Sequence, residues 1–160
     1  MAAVDYFLKI EGIKGDSQDD KHKDEIDVQS FSWGVSQTVG RAGGGGAGAG
    51  KVRFQDFHFT TSVSKASPKL FLSCATGEHI KDATITLRKA GRDQQEYIVI
   101  KMSDVLISSY QTGGTGEQVP TDQVSMAFAK IEYSYSPQKA DGTLDAAITA
   151  AWDLKANKKV

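Results

Sequence analysis

A chain of 160 residues with a formal net charge of −1 and charges of both signs interspersed is one ordinary domain, with no field directed at nucleic acid or anionic lipid. A domain of this size buries roughly 70% of the surface its unfolded form exposes, so it folds without a metal or disulfide staple. Cys74 is the only cysteine, which excludes an internal disulfide framework and a multi-cysteine zinc site and fits a reducing compartment.

The N-terminal segment "DYFLKI" alternates through Tyr6, Leu8 and Ile10 and predicts a strand. Asp5, Lys9 and Glu11 interrupt the apolar run that a signal peptide requires, and no later run approaches the roughly 20 apolar residues of a membrane helix. Next, "KGDSQDDKHKDEID" is polar throughout and predicts a solvated loop holding His22. In "QSFSWGVSQ" a period of two sets Phe31, Trp33 and Val35 on a core face and Ser30, Ser32, Gly34 and Ser36 on a polar one. "VRFQDFHFTTSV" starts on the parity of Val52 and Phe54 and resumes on that of Phe57, Phe59 and Val63, the signature of a bulged strand, with His58 turned away from its phenylalanine neighbours.

"SPKLFLSCATG" breaks the alternation. Ser67 is the expected N-cap, Pro68 suits the first turn, Gly77 suits the C-terminal stop, and Leu70, Phe71 and Cys74 are spaced for one buried helical face. Such a helix would plug an end of a barrel or cover a sheet edge. The runs "ATITLRKA", "EYIVIKM", "DVLISSYQT", "QVSMAFAKIEYSY" and "AAITAAWDL" predict five further strands, with Trp33 and Trp152 packed on the core. The fold class is therefore mainly β: a single compact barrel or sandwich of about eight strands with one short helix.

"VGRAGGGGAGAGKV" interrupts the strands. Gly45, Gly50 and Lys51 fit the spacing of a phosphate-binding loop, and Gly43, Gly45 and Gly48 that of a dinucleotide fingerprint. Both motifs need a helix beginning where the glycines end, and here a strand begins, with Val52 in the place of the hydroxyl that would reach magnesium. The remaining reading is a long extended loop, about residues 40–51. Ordering it costs about 1–2 kcal/mol per residue, with no large apolar side chain to offset that, so it is either a mobile connector or a segment that orders against a second molecule. Histidines, carboxylates and Cys74 form no metal-ligand spacing or nucleophile motif, and no enzyme class has positive support.

"YFLKIEGIKGDS", "EIDVQSFSWGVSQ", "SPKLFLSCATGEHIKDATITLRKAG", "EYIVIKMSDVLISSYQTGG", "KIEYSYSPQKADG" and "AAWDLKANKK", in this order from Tyr6 to Lys159, strongly resemble the haemolysin-coregulated protein (Hcp) family, the tube subunits of type VI secretion systems. The resemblance implies a homohexameric ring with a wide pore, stacked into a tube inside a contractile sheath and tipped by a spike protein. It implies a non-enzymatic conduit and carrier whose lumen holds effector proteins, without cofactor or metal, assembled in the cytoplasm and exported by the machine without a signal peptide. The chain length leaves no room for a fused toxin domain. By the same resemblance Arg41, Gly43, Gly44, Gly45, Gly46, Gly48, Gly50 and Lys51 are candidates for stacking one ring on the next, and Ser30, Ser32 and Ser36 for facing the lumen. The alternative is a monomeric secreted β-sandwich that binds a ligand on Trp33, Trp152, Tyr133 and Tyr135.

Overall fold

The computed structural model describes residues 4–40, 48–90 and 94–160. In chain order these hold β1 (Val4–Ile10), β2 (Ile26–Asp27), β3 (Ser30–Gly40), β4 (Gly48–Ser62), α1 (Ser67–Thr76), β5 (His79–Lys89), β6 (Glu96–Gly113), β7 (Thr121–Ala127), β8 (Lys130–Tyr135), β9 (Ile148–Asp153) and β10 (Lys158–Lys159). The expected mainly-β architecture with one short helix is present, with two differences in how the runs are cut. "EYIVIKM" and "DVLISSYQT" form one continuous strand, whereas "QVSMAFAKIEYSY" divides into β7 and β8 around Phe128 and Ala129.

Every pairing is antiparallel, in the order β10-β9-β8-β6-β5-β1-β2, with β7, β4 and β3 attached through β6. The 18 residues of β6 serve two ladders. Its first half lies between β5 and β8, and its second, Leu106–Gly113, pairs with β7. Asp104 stands between the halves with φ 52°, a left-handed conformation that Asp tolerates better than most residues. Bent here, the sheet folds over itself: Tyr6 of β1 meets Phe31 of β3 edge-on at 5.3 Å, and Phe31 stacks on Phe57 at 5.7 Å. The enclosed core contains Leu8, Phe57, Phe59, Leu70, Ile85, Met102 and Met126, each worth about 1.5–3 kcal/mol on burial.

The sequence reading of α1 needs two corrections. Ser67 is its first helical residue, and the cap position belongs to Ala66, which has no capping side chain. The Ser67 hydroxyl instead accepts the Ser64 N–H and donates to Asp122, a fully buried carboxylate that also accepts the Tyr110 hydroxyl at 2.8 Å. Phe71, expected inside, is 58% exposed, because Leu70 and Ser73 take the face that packs on the sheet. The predicted stop is where it should be: Gly77 adopts φ 67° and its N–H returns to the Cys74 carbonyl.

The acidic segment between β1 and β2 is not the solvated loop that its composition suggests. Arg88 of β5, 3% exposed, donates two hydrogen bonds to Asp19 at 2.8 and 2.9 Å and a third to Asp5 at 3.3 Å. His22 stacks on Phe7 at 4.5 Å, with its ring nitrogens 2.9 Å from Glu25 and 2.7 Å from Glu96. The Arg88 guanidinium lies 4.8 Å above the same Phe7 ring. A buried guanidinium is costly unless paired, so the loop is drawn onto the sheet. Hydrogen bonding from Arg88 holds the Asp19 carboxyl down at about 2, and Asp19 in turn pushes the Arg88 guanidinium up.

Candidate assembly interface

β3 and β4 pair over their whole described lengths and form a two-stranded arm. Gly40 faces Gly48 and Val39 faces Ala49 in this ladder, so both ends of the expected loop are strand. Of the stacking candidates, Gly48, Gly50 and Lys51 therefore lie in β4, while Arg41, Gly43, Gly44, Gly45 and Gly46 lie outside the described residues.

Two register shifts interrupt the arm, each with an extra residue on β4. One lies opposite Trp33, where the change of parity between Phe54 and Phe57 predicts a bulge. At the other, Gly50 and Lys51 oppose Thr38 alone. The Thr38 hydroxyl donates to the Lys51 carbonyl at 2.8 Å and accepts the Lys51 N–H at 3.1 Å, satisfying the backbone groups that the bulge leaves over. Gly50 has no substitute here, since a Cβ would stand 2.0 Å from the Thr38 carbonyl oxygen.

The register gives the β3-β4-β7-β6 layer two unlike faces. One carries Phe31, Phe57, Phe59, Val124 and Met126 toward the core. The other is polar: Ser30 lies opposite Thr60 and Ser32 opposite His58, then Ser125 and Gln123 on β7 and Ser109 and Gln111 on β6 continue the surface. Ser30, Ser32 and Ser36 are all exposed on it, and His58 Nδ1 bonds the Ser125 hydroxyl at 2.9 Å. None of these paired positions is a carboxylate.

Beyond the core the inward side of the arm is only partly covered. Val35 is 54% exposed despite its core parity, because β3 outruns the layer it faces. An apolar groove of about 600 Å³ opens there, walled by Trp33, Val35 and Phe54 on the arm and by Tyr133, Trp152 and Val160 across from it. Trp33 and Tyr133 lie 5.8 Å apart, and both tryptophans are half-buried, packed on the core at their inner edges as the alternation predicts. The Trp152 Nε1 is buried with no acceptor among the described residues. Three of these residues, Trp33, Tyr133 and Trp152, belong to the platform of the alternative sequence reading, but the groove itself is not legible there, since alternation tells which residues share a face and not whether anything covers it.

Among the described residues no group of three or more His, Cys, Asp or Glu side chains is placed to hold a metal ion, and no helix is long and apolar enough to cross a membrane. The surfaces on offer are an arm, a polar sheet face and an apolar groove.

The family model for "Type VI secretion system effector, Hcp" matches residues 7–135. The chain belongs to the Hcp family. It is 45% identical over 158 residues to protein Hcp1 of Pseudomonas aeruginosa, covering 97% of this chain and 98% of that protein. The crystal structure of Hcp1 from Salmonella typhimurium superimposes with a TM-score of 0.83 at 35% identity, covering 99% of this chain and all of that one. A structure described as a type six secretion system protein reaches a TM-score of 0.93 at 29% identity, again over 99% of this chain. As an Hcp, the chain is a type VI secretion protein from a family of secreted structural proteins rather than of enzymes.

Proposed function

We propose that this chain is the subunit of a hexameric ring, that such rings stack into the inner tube of a type VI apparatus, and that effectors travel in the lumen. Ser30, Ser32 and Ser36 line that lumen, and Arg41, Gly43, Gly44, Gly45, Gly46, Gly48, Gly50 and Lys51 reach the next ring. The tube meets the spike at its tip and the contractile sheath along its length, and leaves the cell with its cargo, without a signal peptide.

The observation that carries this reading is the polar face of the β3-β4-β7-β6 layer, continuous over four strands and free of carboxylates at its paired positions. A wall of hydroxyls and amides supplies hydrogen bonds that water can replace, so cargo is held without being trapped by apolar burial. The arm adds support, because a hairpin that outruns its own core gains stability only from a second molecule.

Mass in solution by light scattering tests the ring. The tube reading expects hexamers, and a single copy at every concentration favours the monomeric binding module, whose ligand would sit between Trp33, Tyr133 and Trp152. Shortening Ala42–Ala49 should leave rings intact and abolish long stacks in electron micrographs; undiminished tubes would remove the arm from the account. Ser32→Trp should release cargo from an intact ring, and unchanged co-purification of effector counts against a lumenal Ser32.

A further inference from the structure

The groove beside the arm has a counterpart elsewhere on the same molecule. Phe71 and Leu72 project side by side from α1 with 58% and 57% of their surface in water, and Phe71 is the largest apolar side chain so exposed among the described residues. The helix packs on β6, and Phe71 leans on Tyr110 at 6.3 Å. β6 and β3 are opposite edges of the β3-β4-β7-β6 layer. The groove takes none of its lining from α1, so no copy fills its own groove.

Charge follows the same division. Glu11, Glu78 and Lys69 flank Leu72 without an ion pair among the described residues, so the acids there outnumber the base. The last turn of α1 carries no basic residue, so the negative end of the helix dipole adds to them. On the groove side Lys159 sits in the wall, exposed and without an ion pair among the described residues, whereas Lys158 lies opposite Asp153 on the other face of β10. An apolar knob rimmed by two acids and one base is thus matched by an apolar groove with one lysine in its wall.

We propose that the α1 knob of one copy, Phe71 and Leu72, seats in the Trp33–Val35–Tyr133–Trp152 groove of the next copy, with Glu78 and Glu11 toward Lys159, as the lateral contact within the ring. This rests on the ring reading above and names the surfaces that build it. Two unlike patches on one copy make a head-to-tail contact, the type that propagates from copy to copy and closes by rotation. The contact also covers apolar surface that a lone chain leaves in water.

Trp33 and Trp152 are the chain's only tryptophans and both wall the groove, so fluorescence reports its occupancy directly. With the full-length chain, assembly should shift emission to shorter wavelength. Phe71→Asp and Val35→Asp should each yield folded single chains with unshifted emission. Mixed together, a copy with a spoiled knob and one with a spoiled groove retain one productive pairing, so the mixture should acquire the mass of two chains and the shifted emission. As a milder pair, Glu78→Lys and Lys159→Glu should each weaken assembly a few-fold, and the double exchange should restore it. Rings of wild-type mass from a Phe71→Asp, Leu72→Asp double variant would overturn the knob-in-groove contact and leave the ring reading standing. So would a mixture that stays at one chain, or unfolded aspartate variants accompanied by charge reversals without effect. A wild-type chain that is a monomer at every concentration would overturn both.

Discussion

Asp19→Asn probes the ion pair that pins the acidic loop to β5. A carboxyl held at about 2 in the folded chain against an ordinary 3.8 releases its proton more readily when folded, with a ceiling of about 2.5 kcal/mol of added stability at neutral pH. The Asp19 side chain keeps 21% of its surface in water, and solvent screening brings the expected contribution to about 1–2 kcal/mol. Because the folded-state value is the lower one, this stability is fully present above about pH 4 and drains away as pH falls toward 2. Urea unfolding at a series of pH values and one protein concentration should show wild type losing that amount over this window. Asp19→Asn should start lower at pH 7, with Arg88 left to Asp5 alone, and should lack that part of the slope. Parallel loss in the two proteins between pH 4 and 2 would refute the assignment of the acid sensitivity to this pair.

Phe57→Ala removes a fully buried ring and should cost about 3–5 kcal/mol in denaturant unfolding, whereas Val35→Ala, half in water, should cost under about 0.5 kcal/mol in the ring-deficient Phe71→Asp background. Asp122→Ala leaves the Ser67 and Tyr110 hydroxyls without their acceptor and should cost about 2 kcal/mol or more, with faster amide exchange in the first turn of α1. Gly50→Val forces a side chain against the Thr38 carbonyl at a cost of about 1–3 kcal/mol; protection of the Lys51 amide should vanish while core amides keep theirs.

Much of the fold is legible in the chain because β1, β3 and β5 alternate cleanly and α1 ends at a glycine. Even the bulge opposite Trp33 is visible as a change of parity from Phe54 to Phe57. The unity of β6 is not, since Ser103 and Asp104 read as turn residues and only pairing on both sides carries the strand through a left-handed aspartate. Nor does local pattern reveal that Arg88 is buried. Its partner lies 69 positions away in a segment whose composition suggests solvent, and an arginine in a strand beside an acid-rich loop is the one available hint. The surfaces divide in the same way. Ser30, Ser32 and Ser36 share a polar face by counting alone, but the exposure of Val35 and Phe71 depends on where the opposing layer ends, which is a property of the whole domain.

The two surplus residues of β4 make the arm sensitive to arithmetic. Each inverts the faces of β4 beyond it, so the second returns the outer residues of β4 to the phase that the first disturbed, while β3 keeps one parity throughout. A one-residue insertion or deletion in β3 between Trp33 and Thr38 would swap the wet and greasy sides of its outer half, moving Val39 off the face it shares with Val35. Length variation among homologous chains should therefore be confined to the apex between Gly40 and Gly48, or arrive as compensating pairs. Anyone grafting a tag or a cargo handle onto this hairpin has that apex as the insertion point that leaves the side-chain phase undisturbed.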